Sequence, residues 1–268
     1  MTRKIGYGPV KRVLRWGMQS SEIASNPERW ALFLDVDGTI LDVAVTPDDV
    51  VIAPDLIQSL SRVDALLSGA LAFVSGRTIA VLDRLFAPLT LAAAGEHGAE
   101  LRPGPGQIVS RCTTRLFDPA LKAALQQLVA EHPALLLEEK PSSVVIHYRR
   151  APELGPSLEQ RIRSVLDLAD FGLGLHPGKM SWDIREGTCT KGTALRQLMA
   201  VDRFSGRTPI YVGDDLTDED GFAEAERQGG VALAVAGEYR TQRPIAFLAP
   251  ENVRDWLRQL AARQEAAA

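Results

Sequence analysis

Short runs of consecutive apolar residues, each ending in acids, glycine or other turn chemistry, recur along this chain with amphipathic stretches between them. Residues 30–34, WALFL, run straight into Asp35-Val36-Asp37-Gly38-Thr39 and predict a buried strand followed by a polar loop. Residues 69–77 (GALAFVSGR) predict a second strand ending in Ser75-Gly76-Arg77, and residues 89–101 (LTLAAAGEHGAEL) a third with a glycine-bracketed loop. TPIYVGDD (208–215) predicts a strand ending in two acids, and GGVALAVAG (229–237) another. Helical spacing fills the gaps. Leu56, Leu60, Val63 and Leu67 share one face of 53–67; 78–88 is stopped by Pro88; 191–201, 217–228 and 250–264 complete the set. Strands alternating with helices predict an α/β fold with a parallel sheet.

The texture changes at RPGPGQ (102–107), which reads as a boundary. Beyond it the pattern predicts a strand in 107–112 and a helix over 118–132 capped by Asp118 with Pro119 at its first position. Two strands follow around Lys140-Pro141-Ser142, then a helix in 153–169 whose start Pro156 delays, and a strand pair in 171–187. This block is antiparallel in flavour, an α+β insertion in an α/β core. The expected division is a lead-in over 1–28, a discontinuous core of 29–103 and 180–268, and an insert over 104–179.

Composition narrows the classes. The chain has 268 residues, 46% of them hydrophobic, enough for one large domain or two small ones. A net charge of −4 and the lack of any Lys/Arg run beyond a pair argue against a nucleic-acid partner. The polar, basic first 28 residues predict neither a signal peptide nor a membrane span. Cys112 and Cys189 form no CxxC, so two reduced thiols in a cytoplasmic protein are expected.

Asp35 and Asp37 repel each other at the end of an apolar strand, which makes sense if they face a site. Ligands bind at the carboxyl ends of open parallel sheets. The ends at Asp35–Asp37, Ser75–Arg77, Gly95–Gly98 and Gly213–Asp215 are therefore expected to converge. Asp35, Asp37, Asp214 and Asp215 form a hard, oxygen-only set suited to Mg²⁺, which would relieve their repulsion. A carboxylate beside such an ion can attack phosphorus in line to form an aspartyl-phosphate, and an acid two residues on can protonate the leaving oxygen and then deprotonate water. Gly38 permits a tight turn, and its amide and that of Thr39 can face phosphate oxygens. Ser75 can hydrogen-bond the phosphoryl group, and Lys191, at a helix start, can neutralise its charge. Each element alone has an ordinary reading, as a turn, a calcium loop, a surface loop or, for Asp214-Asp215 with Asp218-Glu219-Asp220, a solvated helix start. The later ligands of a calcium loop are missing, and all four elements occur in order, each after a predicted strand or at a helix start.

These segments resemble the four motifs of the haloacid dehalogenase (HAD) superfamily of phosphatases. GEHGAELR (95–102), LEEKPSSVVIHYR (137–149), GKMSWDIR (178–185), KGTAL (191–195) and VGDDLTDEDGF (212–222) narrow the likeness to the trehalose-6-phosphate phosphatase family. The resemblance implies a HAD-like Rossmannoid core with a parallel sheet and an inserted α+β cap domain that closes over the core and reads the sugar. It implies Asp35 as nucleophile, Asp37 as general acid/base and Lys191 as stabilising cation. Mg²⁺ would sit on Asp35, the Asp37 carbonyl and Asp214, supported by Asp215 and Asp218. Gly38, Thr39, Ser75, Gly76 and Arg77 would hold phosphate. Glu138, Lys140, His147, Lys179 and Asp183 match the sugar-reading positions of the cap, and Glu96 and His97 also fit the family pattern. The implied activity is hydrolysis of trehalose 6-phosphate to trehalose and phosphate, in the cytoplasm and paired functionally with a trehalose-6-phosphate synthase. Asp183 stands where the family usually has glutamate and Pro141 where it usually has glycine. A phosphatase for another sugar phosphate, such as sucrose 6-phosphate or a glycosyl-phosphoglycerate, therefore stays open. A non-catalytic domain of this fold is the remaining alternative, and the presence of Asp35, Asp37, Lys191 and Asp214 argues against it.

Overall fold

The computed structural model describes residues 16–43, 50, 52–111, 118–140, 142–167, 173–178, 180–237 and 243–265. Helix α1 (Trp16–Ser25) leads into β1 (Trp30–Leu34), α2 (Pro54–Leu66), β2 (Leu71–Val74), α3 (Ile79–Leu85), β3 (Ala92–Gly95), β4 (Glu100–Arg102) and β5 (Ser110–Arg111). A second group follows: α4 (Pro119–Ala130), β6 (Leu136–Glu139), β7 (Ser143–His147), α5 (Gly155–Asp167), β8 (Leu173–Gly178) and β9 (Ser181–Glu186). The chain then runs through α6 (Lys191–Met199), β10 (Thr208–Gly213), α7 (Asp218–Arg227), β11 (Val231–Val235), β12 (Ile245–Phe247) and α8 (Pro250–Glu265).

The first and last groups build one eight-stranded sheet in the order β12-β11-β10-β1-β2-β3-β4-β5. Strands β12 to β3 are mutually parallel, and β4 and β5 add an antiparallel edge. Every residue of β1 is buried, which fits a sheet covered on both faces. Helices α1, α2 and α8 pack together as one group and α6 with α7 as another. Helix α2 lays Leu56, Leu60 and Val63 into the core, on the spacing of one helical face. The chain winds outward from β1 toward β2 and β3 and returns on its other side through β10. That reversal is a topological switch point, the place where such sheets open a crevice.

The second group forms a wholly antiparallel four-stranded sheet, β6-β7-β9-β8. One face carries Val144, Ile146 and Ile184 into a separate core with Leu121, Leu125, Leu158 and Ile162 from α4 and α5. Asp118 caps α4 by accepting from the Ala120 amide at 2.7 Å, with Pro119 first in the helix.

Sheet membership differs from the expected division at both ends. The Pro/Gly stretch at 102–107 joins β4 to β5 within the large sheet, and β9 keeps residues 181–186 in the small one. Composition marks a turn, but not which sheet the next strand joins. Within the expected lead-in, α1 packs on α8 and buries Ile23. The expectation of reduced thiols is not met at Cys189, which is buried and disulfide-bonded; Cys112 lies outside the described residues. Spacing rules register cysteines close in sequence, not those brought together by folding.

With two separate cores, Ile162→Ala removes a fully buried side chain from the smaller one. It is expected to cost about 2–5 kcal/mol. Hydrogen exchange checks this: amides of 119–186 lose protection, while those of β1, β2 and β10 keep it.

Candidate active site

The carboxyl ends of β1, β2, β3 and β10 meet as their alternation predicts. The Asp35 amide donates to the Val212 carbonyl, Ser75 to Ala94 and His97 to Ser75, each at 2.9 Å. Lys191 is the first residue of α6, placed by a reciprocal cap. Thr190 accepts from the Thr193 amide at 3.2 Å, and the Thr193 hydroxyl accepts from the Thr190 amide at 2.9 Å.

Lys191 is buried and donates to Asp35 Oδ1 at 2.8 Å and to Asp218 Oδ1 at 2.7 Å. Asp218, 0% exposed, also accepts from the Tyr211 hydroxyl at 2.8 Å and from the amides of Asp214 and Asp215 at 3.0 Å each. The Thr39 hydroxyl lies 3.1 Å from an oxygen of both Asp35 and Asp214. Gly38 has φ +85°, and a Cβ there would stand 2.2 Å from Asp214 Oδ2, so both conformation and proximity require glycine. Gly76 is needed for a similar reason: the His97 ring would meet its Cβ at 2.6 Å.

Electrostatics follow from four acids around one ammonium. Burial, then Asp218, pushes Asp35 well above the usual carboxylate range against the pull of Lys191. Burial with Asp218 and Asp215 pushes Asp214 up to about 7. Desolvation also works on Asp215, but Lys191 and the Thr217 side chain outweigh it and hold it at about 2. Burial works against the Lys191 charge, yet Asp218 and Asp35 raise its pKa well above the ordinary value. Asp35, Asp214 and Asp218 each offer an oxygen within 4.8 Å of the others. Asp218 is already engaged by four donors, which leaves Asp35 and Asp214 as the side-chain donors for a cation. A hard oxygen set with excess negative charge fits a divalent ion.

Asp37 is gripped by Arg77, whose Nε and Nη2 donate to its two oxygens at 2.7 Å. Ser75 is buried, and its hydroxyl accepts from the Arg77 amide at 3.1 Å. A cavity of about 660 Å³, within the usual range for small-ligand sites, opens beside Asp37, Gly38, Asp214 and Asp215. Pro177 and Gly178 of the small sheet's hairpin form part of its wall.

On that sheet, Glu138, Val145, Asp183 and His176 align across four strands, on the face away from α4 and α5. His147 Nε2 lies 2.8 Å from Glu138 Oε2, and Lys140 Nζ 4.0 Å from Glu138 Oε1. These four sequence-predicted residues, Glu138, Lys140, His147 and Asp183, share one polar face but do not line the cavity described above; Lys179 lies outside the described residues. Glu96 and His97 sit between the two units with consecutive positive φ values, 47° and 57°. Burial raises the Glu96 pKa with the Ser142 hydroxyl nearby, and burial with Lys191 and Arg185 keeps His97 neutral. Sequence reasoning missed Tyr211, which reads as one more apolar strand residue. It also passed over Arg185, although the two-residue spacing from Asp183 puts both on one face.

Tyr211→Phe removes one of four donors to Asp218 and is expected to cost about 1 kcal/mol, read from chemical denaturation, because three donors remain.

The family model for trehalose-phosphatase matches residues 33–263. The chain is 39% identical over 215 residues to a probable trehalose-phosphate phosphatase of Sinorhizobium fredii, covering 80% of this chain and 81% of that one. It is 33% identical over 235 residues to the trehalose-6-phosphate phosphatase of Escherichia coli, covering 87% and 86%. The solved C-terminal domain of the C. albicans trehalose-6-phosphate phosphatase superposes with a TM-score of 0.76 over 93% of this chain and 97% of that one, at 20% identity, a likeness of fold. No helix among the described residues is long and apolar enough to cross a membrane. Motif order, the convergence of strand ends and these matches agree: the chain belongs to the trehalose-phosphatase family.

Proposed function

We propose that this protein hydrolyses trehalose 6-phosphate to trehalose and phosphate, with Asp35 as nucleophile. The observation that carries the reading is the buried Asp35 carboxylate at a strand end, fixed by Lys191 at 2.8 Å and beside Asp214. We assign the large sheet and its helices to a catalytic core. The small sheet with α4 and α5, leaving at Glu186, is the cap that reads the sugar through Glu138, Lys140, His147, Lys179 and Asp183. The cytoplasm and a functional pairing with a trehalose-6-phosphate synthase, whose chemistry would supply the ester, belong to the same reading.

Mg²⁺ would be held by Asp35, the Asp37 carbonyl and Asp214, and would supply charge neutralisation at the phosphoryl oxygens. Ser75, Lys191 and the amides after Asp37 hold the phosphoryl group for in-line attack. Asp35 forms a bond to phosphorus as the bond to the sugar oxygen breaks, and Asp37 gives that oxygen a proton. Asp37 then takes a proton from water as its oxygen attacks phosphorus, the Asp35–phosphorus bond breaks, and phosphate leaves. Arg77 yields at least one bond to Asp37 for this exchange and can turn to the phosphoryl oxygens.

Asp35→Asn is expected to lower kcat by at least about 10³-fold with the fold intact by circular dichroism. Near-normal turnover in that variant removes Asp35 as nucleophile. A phosphate-release panel of trehalose 6-phosphate, glucose 6-phosphate, sucrose 6-phosphate and glucosyl-phosphoglycerate tests the sugar; preference for another member keeps the core chemistry and discards trehalose.

Metal binding carries a pH signature. Asp214, at about 7 in the metal-free protein, has to lose its proton before it can hold a cation. Asp35, also raised by burial, competes with a proton as well, so affinity for Mg²⁺ is expected to fall by at least about tenfold per unit as pH drops below 7. Calorimetric titration from about pH 5.5 to about pH 8.5 checks this, and a flat affinity excludes Asp214 as a ligand.

A further inference from the structure

We propose that Arg185 is a positioning residue for sugar recognition, fixing the Asp183 carboxylate from the root of the cap. The inference rests on the reading that Asp183 contacts the sugar. Asp183 and Arg185 are two residues apart on β9 and share its polar face, while Ile184 between them is in the cap core. Arg185 is 3% exposed, an unusual place for a guanidinium without a fixed task. Its Nε lies 3.2 Å from Asp183 Oδ2, and its Nη1 donates to the Cys189 carbonyl. Cys189 precedes Thr190, the cap of α6, whose first residue is Lys191. The guanidinium therefore stands between the acid on the cap sheet, which it meets as an ion pair outside hydrogen-bond alignment, and the Cys189 carbonyl, a reach that a point charge on a flexible stem does not reproduce.

The Ser143 hydroxyl also lies near the Asp183 carboxylate, yet one oxygen, Oδ1, is buried and has no hydrogen-bond partner among the described residues. Buried acceptors are ordinarily satisfied, so an oxygen held in this way points to a donor that arrives with the ligand, here a sugar hydroxyl. The charges around Arg185 agree with its pairing to Asp183. His97 and His176 are both near it and both stay neutral, His176 pushed down to about 4 by burial and then by Arg185 itself. Lys140 is on the same side of the cap, and Asp220 of α7 contributes a more distant opposite charge. Asp183 is thus the carboxylate in contact with this buried cation, and losing either partner would strand the other.

Steady-state kinetics of Arg185→Met, Arg185→Lys, Asp183→Asn and the Arg185→Met/Asp183→Asn double variant, on trehalose 6-phosphate and on p-nitrophenyl phosphate, test the proposal. Arg185→Met is expected to raise KM for trehalose 6-phosphate roughly 10- to 100-fold, while kcat/KM for p-nitrophenyl phosphate stays within about threefold. Arg185→Lys, which keeps the charge and folds more readily, is expected to give an intermediate rise on the sugar ester only. The double variant is expected to be no worse than the poorer single one, since the two side chains act as a unit. Equal losses on both esters in the Met and Lys variants, or an unchanged KM for trehalose 6-phosphate in both, overturn the proposal. If Asp183→Asn alone already affects both esters equally, the sugar-reading role of Asp183 has failed instead. A selective Asp183→Asn beside unselective Arg185 variants isolates the failure to Arg185.

Discussion

One carboxylate with no solvent exposure organises this molecule. Asp218 is held by the Lys191 ammonium, the Tyr211 hydroxyl and two successive backbone amides. A buried charge is tolerated only when its lone pairs are met, and here four donors from three elements meet them. The arrangement fixes Lys191 from α6 against α7 and the end of β10, and it shapes the loop that presents Asp214 and Asp215. Lys191 can then hand a second bond to Asp35, at the end of β1. The pair Asp35 and Lys191 is therefore placed by an acid that makes no contact with phosphorus in the proposed reaction. Burial first, and the Asp218 charge second, raise the pKa values of Asp35 and Asp214, and a divalent ion is a fitting completion of the site.

The fold makes this possible by reversing strand order at β1. Because β10 lies beside β1 while β2 lies on the other side, residues separated by 156 positions, Asp35 and Lys191, come within hydrogen-bond distance. The cap enters the chain after β5 and leaves after β9, so its last strand runs into the segment that caps α6. Arg185 and the Cys189 carbonyl stand at this junction, and the disulfide at Cys189 gives it a further covalent tether.

Most of the core was legible in the sequence because each of its strands ends in an abrupt change of chemistry. The five apolar runs from Trp30 to Val235 became β1, β2, β3, β10 and β11, and the polar residues after β1, β2, β3 and β10 lie together. The cap was harder to place. Its strands were legible by alternation, but the pairing of β9 with β7 and β8 was not, because a strand's own pattern does not say which sheet it joins. β4 and β5 are too short, three and two residues, to show a period. The role of Tyr211 was hidden because a hydroxyl inside an apolar run gives no hint of the buried acceptor it meets seven residues on. Asp218 was legible as an acid of a helix start, which the dipole alone explains, and through the family resemblance as a support for the metal, but not as a buried acceptor of four donors. Its full burial depends on Lys191, whose position no local rule supplies.

The bond between Arg77 and Asp37 carries the last step. Both oxygens of Asp37 are held at 2.7 Å by a guanidinium that is itself largely buried. With both oxygens engaged by the guanidinium, neither is free to meet the oxygen of a leaving group. For Asp37 to serve as the acid of the proposed mechanism, Arg77 needs another anion of matching geometry. A phosphoryl group offers one, with more charge and oxygens spaced for the same planar fork. The exchange can then be made within the site: the substrate's phosphate takes the arginine, and the arginine releases the acid beside the oxygen that leaves. Water offers no such replacement. On this reading the pair stays closed until a phosphate ester arrives, and availability of the acid is coupled to the chemical group on which it acts.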